Sequence, residues 1–152
     1  LVRRWGHAVD FLFVYVMEAH ASDEWPLGNR RSTTPQHRSI EQRCAAARRF
    51  RASQMGSASS IGGLGSPPAA TAAWPAEDLA AAASVPWAVD TMANDFYSAF
   101  GAWPEGHVVV GADGTLRLRT ESEDGEGLVA GGPWHEQVEQ VLVEDQGLEP
   151  RR

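Results

Sequence analysis

The sequence predicts an α/β fold, and three stretches carry that prediction. Phe11-Leu12-Phe13-Val14-Tyr15-Val16-Met17 is aromatic and β-branched without polar alternation, the pattern of a central strand covered on both faces by helices. From His37 to Arg51 the chain has helical periodicity through Ile40, Cys44, Ala47 and Phe50. Further on, His107-Val108-Val109-Val110 and Thr115-Leu116-Arg117-Leu118-Arg119 flank Ala112-Asp113-Gly114, and Asp-Gly between strand-like runs signals an antiparallel hairpin.

The remaining elements follow in order. Leu1, Val2, Trp5 and Val9 recur at helical spacing up to Asp10, so the chain is expected to start inside a helix, as a processed product or a piece with sequence missing upstream. A polar loop with Trp25, Pro26, Gly28 and Asn29 leads to Pro35 and the helix after it. From Ala52 to Ser84 the composition turns to Ala, Gly, Ser and Pro, with Gly62-Gly63 and Pro67-Pro68; this reads as a low-complexity linker or insertion, or as a weak helix at Glu77 to Ala83. Val85-Pro86-Trp87-Ala88-Val89 is a short strand ending at Asp90, and a helix from Asn94 or Asp95 to Phe100 is closed by Gly101. After the hairpin comes an acidic, Gly-rich turn from Glu121 to Gly127, and then a last helix whose apolar face holds Val138, Val141, Leu142 and, less regularly, Trp134.

Helix tail, strand, helix, linker, strand, helix, hairpin, helix is a thioredoxin-like order: a central mixed sheet with flanking helices, a C-terminal β-hairpin plus helix, and the N-terminal strand missing. The divisions expected are 1–51 for the first part of that domain, 52–84 for the linker, 85–146 for the remainder and 147–152 for a tail. Across 152 residues, 43% hydrophobic and 22% charged, one modest core is affordable. A net charge of -7 with dispersed arginines argues against nucleic acid as a partner. The single cysteine, Cys44, excludes an internal disulfide and a zinc-type cysteine cluster. The run Phe11 to Val16 is far shorter than the roughly 20 residues of a spanning helix.

Reactive groups in α/β sheets gather beyond the carboxyl ends of strands. Glu18-Ala19-His20-Ala21-Ser22-Asp23 occupies such an end. If the strand conformation persists through His20, Glu18 and His20 point to one side, and a carboxylate beside an imidazole makes a proton source or relay near neutral pH. The bland reading of the same pair is solvated loop. Ser22 and Asp23 suit backbone hydrogen bonding in a turn, and a Ser-His-Asp hydrolase is excluded because these residues crowd one short loop without an elbow motif. Cys44 shares a helical face with Ile40 and Ala47 and reads as a small hydrophobe rather than a nucleophile. Trp25, Trp103 and Trp134 either stack on an aromatic ligand or anchor loops to the core, packing being the commoner role. His7, His107 and His135 lack metal-ligand spacing, so no metal site is expected.

Phe11 to Asp23, His37-Arg38-Ser39-Ile40-Glu41-Gln42-Arg43, Val89-Asp90-Thr91-Met92, Gly101-Ala102-Trp103-Pro104-Glu105 and Gly131-Gly132-Pro133-Trp134 together resemble the iodothyronine deiodinases, thioredoxin-fold selenoenzymes, in that family's order. The resemblance implies reductive removal of iodine from an iodinated thyronine or other iodinated aromatic. A selenocysteine, or in some relatives a cysteine, attacks the iodine, nearby groups protonate the ring carbon, and a thiol reductant serves as co-substrate. No bound cofactor is implied, and homodimerisation stays open. Glu18 and His20 match the proton-handling positions, His37 a substrate-binding histidine with Trp25 beside the pocket, and Pro104 the proline that is cis in thioredoxin-like folds. His37 also has a bland reading, as the start of a helix after Pro35.

The sequence departs from the family where Glu24 replaces a glycine between Asp23 and Trp25, in the long linker, and in the acidic stretch after the hairpin. The segment carrying the selenocysteine or cysteine is absent, as is the N-terminal membrane anchor many family members have, so inactivity of this chain alone is expected and localisation is open. The alternatives are a peroxiredoxin-like thiol peroxidase or reductase and a degenerate, non-catalytic thioredoxin-like module. An in-frame UGA or a cysteine after a first strand upstream favours an enzyme.

Overall fold

The computed structural model describes residues 1–28, 32–55, 75–101, 106–120 and 134–151. It is mixed α/β and divides into two compact units, Leu12–Asn94 and Leu1–Phe11 with Asp95–Arg152. The described strands form one parallel pair and one antiparallel pair.

In the unit Leu12–Asn94, β1 (Phe13–Tyr15) is followed by α2 (Ile40–Met55), α3 (Ala76–Ser84) and β2 (Trp87–Val89). Parallel strands need a long crossover, and both helices lie in it. β1 and β2 pair in the register Phe13↔Trp87, Val14↔Ala88 and Tyr15↔Val89, extended by Phe13 N–H to the Pro86 carbonyl (3.0 Å) and Asp90 N–H to the Tyr15 carbonyl (2.9 Å). The strand is shorter than the apolar run, and Leu12 and Phe13 are exposed rather than covered on both faces, since β1 has a single hydrogen-bonded neighbour among the described residues.

α2 begins at Ile40, later than the periodicity suggested, and buries a different stripe. Arg43, Ala46 and Ala47 are buried, Cys44 is half-buried, and Ile40 and Phe50 are exposed. Residues three and four apart share a helix face, and the alanines permit close approach while the Arg43 guanidinium donates to the carbonyls of Asp90 and Thr91 just past β2. Aromatic rings add to this packing: Phe13 lies 4.9 Å from Trp87, and Phe50 lies 6.0 Å from Tyr15. The stretch expected to be linker is helical at both ends, because residues 52–55 continue α2 and alanine-rich residues 76–84 form α3. Glu77 and Asp78 in the first turn of α3 suit the helix dipole. Residues 56–74 lie outside the described set.

The other unit contains α1 (Val2–Trp5), α4 (Asp95–Phe100), β3 (Val108–Val110), β4 (Leu116–Arg119) and α5 (Trp134–Gln140), which continues as a π-helical turn, Val141–Asp145. Gly101 (φ 62°) ends α4 in the left-handed region, and a Cβ there would lie 2.8 Å from Arg119 Nη1. The Asp-Gly hairpin forms as the sequence predicts, with Gly114 at φ 80° and the Asp113 carboxylate accepting from Thr115 N–H (2.9 Å) and Arg117 (2.8 Å). Trp5, Val138 and Leu142 make the core, packed against Val109 and Leu118 of the hairpin. Trp134 is exposed and stacks on the His107 ring at 3.8 Å instead of anchoring to that core.

Candidate active site

β1 ends at Tyr15, so Glu18 and His20 are not carried to one face by strand alternation; they lie in the bend and turn that follow. What orders this segment is Gln36. Its side-chain amide accepts from Glu18 N–H (3.2 Å) and donates to the Glu18 carbonyl (3.0 Å), a two-point clamp on one peptide neighbourhood. Gln36 N–H donates to Asp23 Oδ1 (2.7 Å) and Ser22 N–H to the Thr34 carbonyl (2.9 Å), so residues 18–24 are joined to residues 34–37. Ser22 acts here through its backbone. Asp23 acts through its carboxylate, as a turn-holding role predicts.

The Glu18 carboxylate accepts from the Tyr15 hydroxyl at 2.7 Å. Burial, and then the hydrogen bond and charge of Glu18, push the Tyr15 phenol well above its ordinary range. The Tyr15 ring stands 5.7 Å from that of His37. His37 is only 6% exposed, and neither of its ring nitrogens has a hydrogen-bond partner. Burial holds its imidazole below the ordinary histidine value, Glu18 opposes that shift, and the charges of Arg43 and Arg49 reinforce it. His37 is thus a neutral ring with one donor and one acceptor uncommitted. Leaving such groups buried and unmatched costs about 1–3 kcal/mol each in an ordinary core.

His20 meets Trp25 edge-on, with centroids 5.5 Å apart, and its Nδ1 is also buried without a partner. Trp25 is 63% exposed, so the expected loop anchoring does not occur. The Glu24 carboxylate lies 3.6 Å from Arg38.

An open cleft of about 360 Å³ lies beside these groups, and Asp23, Gln36, His37, Arg38, Gln42 and Arg49 contribute to its wall. Glu18, His20 and Trp25 are not part of that wall. The Gln36 N–H, ahead of Arg38, holds the Asp23 carboxyl below its ordinary range. Arg38 pairs with Asp23 at 3.4 Å, whereas Arg49 makes no ion pair among the described residues.

Glu18 and His37 therefore share an electrostatic environment, His20 and Trp25 form a second pair, and Ser22 and Asp23 hold the loop. Pro104 lies outside the described residues. Sequence reasoning did not single out Tyr15, Gln36, Arg43 or Arg49. Arg43 was detectable, since it stands three residues after Ile40 and four before Ala47, inside the apolar stripe. Gln36 and Arg49 carry no such signal.

Residues 1–59 match the family model for iodothyronine deiodinase. That stretch includes β1, the loop, the whole cleft wall and α2. Across the whole chain, thyroxine 5-deiodinases of Sus scrofa and Homo sapiens are each 30% identical over 152 residues, which are 100% of this chain and 40% of theirs. The type I iodothyronine deiodinase of Xenopus laevis is 46% identical over 50 residues, 33% of this chain and 19% of its own. The chain thus spans about 40% of the length of its thyroxine 5-deiodinase relatives. The matched segment holds every site residue named above except Pro104 and the carbonyls of Asp90 and Thr91.

Proposed function

We propose that this chain supplies the proton-handling and substrate-holding part of a reductive deiodinase centre. Its substrate is an iodinated thyronine or another iodinated aromatic, its reductant a thiol, and its scaffold thioredoxin-like. The parallel β1–β2 unit with a helical crossover and the hairpin with a closing helix support that scaffold. In the overall reaction the carbon–iodine bond breaks, a proton takes iodine's place on the ring, iodide leaves, and two thiols become a disulfide. The attack on iodine is supplied by a selenocysteine or cysteine outside these residues.

The observation that carries this reading is His37: a buried imidazole on a cleft wall with both nitrogens unpartnered, inside the segment that matches the family. A general acid or base works best with a pKa near the operating pH, and here burial and Glu18 act on His37 in opposite directions. Tyr15 holds the Glu18 carboxylate in place. His20, with an uncommitted Nδ1, is the second proton-handling group, and Trp25 offers an exposed ring beside it for an aromatic ligand.

The test is thiol-dependent iodide release from an iodinated phenol by a version of the chain extended to include the nucleophile. Glu18→Gln and His20→Ala are expected to lower kcat by about 100-fold, as loss of general acid–base catalysis does, with little change in unfolding midpoint. Equal losses of activity and stability would make the two residues structural. Iodide release by the 152-residue chain alone, abolished by Cys44→Ala, would contradict the assignment.

A further inference from the structure

Arg38 and Arg49 both contribute to the cleft wall, but they are not equivalent. Arg38 is neutralised locally by Asp23 at 3.4 Å and Glu24 at 3.6 Å, whereas Arg49 has no carboxylate partner among the described residues. Its field nevertheless reaches inward, opposing ionisation of His37 and favouring that of the Tyr15 phenol. On the same wall, buried His37 carries two ring nitrogens with no hydrogen-bond partner.

We propose that Arg49 and His37 form a subsite for an anionic oxygen on a small aromatic ligand, with Arg49 as the residue that selects the ionised form. Arg49 supplies the charge and a planar set of donors, and the neutral His37 ring donates one oriented hydrogen bond to the same oxygen. Halogens beside a phenol hydroxyl withdraw electrons and acidify it, so an iodinated phenol presents such an oxygen near neutral pH, and a carboxylate on the ligand presents the same chemistry. The link to iodinated substrates rests on the deiodinase reading; the subsite itself does not require iodine.

Iodine-free probes therefore separate the two. Isothermal titration of this chain at mildly alkaline pH would use 4-nitrophenolate for the phenolate source, benzoate for the carboxylate source and 4-nitroanisole as the uncharged control. At least one anion is expected to bind, the anisole about tenfold more weakly. Arg49→Gln is expected to remove that difference, and Arg49→Lys to keep part of it. Since Arg49 is exposed, both variants should retain the wild-type circular dichroism spectrum. Preference for nitrophenolate assigns the subsite to the hydroxyl, and preference for benzoate to a carboxylate. Failure of both anions to bind, equal binding of the anisole, or unchanged anion binding by Arg49→Gln would overturn the subsite. Anion binding that persists without iodide release from the extended chain would retain the subsite and remove the deiodinase reading.

Discussion

The two units treat their buried polar groups in opposite ways. In the unit built on the hairpin and α5, the buried Trp5 indole donates to Glu139 at 3.2 Å, and the buried Thr120 hydroxyl accepts from His107 N–H at 2.9 Å. In the unit Leu12–Asn94, the buried residues are small apolar side chains together with Ser32, His37, Arg43 and Asp90. Every buried side-chain atom left unpartnered among the described residues, on His20, His37, Arg43, Trp87 and Asn94, belongs to that unit. A satisfied apolar core is what stability alone selects, while unmatched buried polar atoms call for a further partner, a water, an ion or a ligand. On the proposed reading the first unit is scaffold and the second carries the site.

The sharpest way to break the contrast is to cut into the scaffold. Trp5→Ala removes the fully buried side chain at the centre of the hairpin unit and is expected to cost about 3–5 kcal/mol in urea unfolding. A loss below about 1 kcal/mol would deny that unit its core. Next in size is Arg43→Ala. Arg43 is 2% exposed and donates to two backbone carbonyls, so truncation removes both bonds and the packing of a buried side chain and should cost about 2–4 kcal/mol by the same measurement.

His37→Phe probes the opposite side of the comparison. Replacing an unpartnered buried imidazole with an apolar ring should leave stability within about 1 kcal/mol of wild type, or raise it. It should also flatten the acid limb of the stability profile. Because the folded-state value of His37 is depressed, the unfolded chain takes up its proton first as pH falls. Its contribution to stability is therefore complete above about pH 6.5 and declines as pH drops through that value toward the folded one. The urea midpoint of wild type should fall increasingly below that of His37→Phe as pH drops; parallel curves would mean His37 is not held neutral. The smallest effect belongs to Asp113→Asn in the exposed hairpin turn. The depressed carboxyl of Asp113 stabilises above its ordinary value and loses that contribution as pH falls, so a slight drop in Tm at neutral pH should vanish in strong acid.

Much of this arrangement was legible in the sequence because it depends on local chemistry. Asp113-Gly114 specifies its turn, Gly101 its helix end, and Val138 with Leu142 the buried face of the last helix. The apolar run Phe11 to Met17 was legible as a strand but not in its extent, since pairing partners decide how far a strand runs. Within the site, Glu18 and His37 stood out by residue type and position. Their relation did not, because it is set by Gln36 reaching back 18 residues to clamp the Glu18 backbone. The helix stripe was misplaced by the habit of expecting only apolar side chains inward, when Arg43 is the buried group that links α2 to the end of β2.

The most direct test of the site is calorimetric titration of 2,6-diiodophenol into the wild-type chain and into His37→Phe, each with its urea midpoint measured alongside. Wild type is expected to bind, and His37→Phe to bind about tenfold more weakly or not at all while remaining at least as stable. Equal affinity in the two proteins would contradict the account, because the unmatched nitrogens of His37 would then have no ligand to complete them.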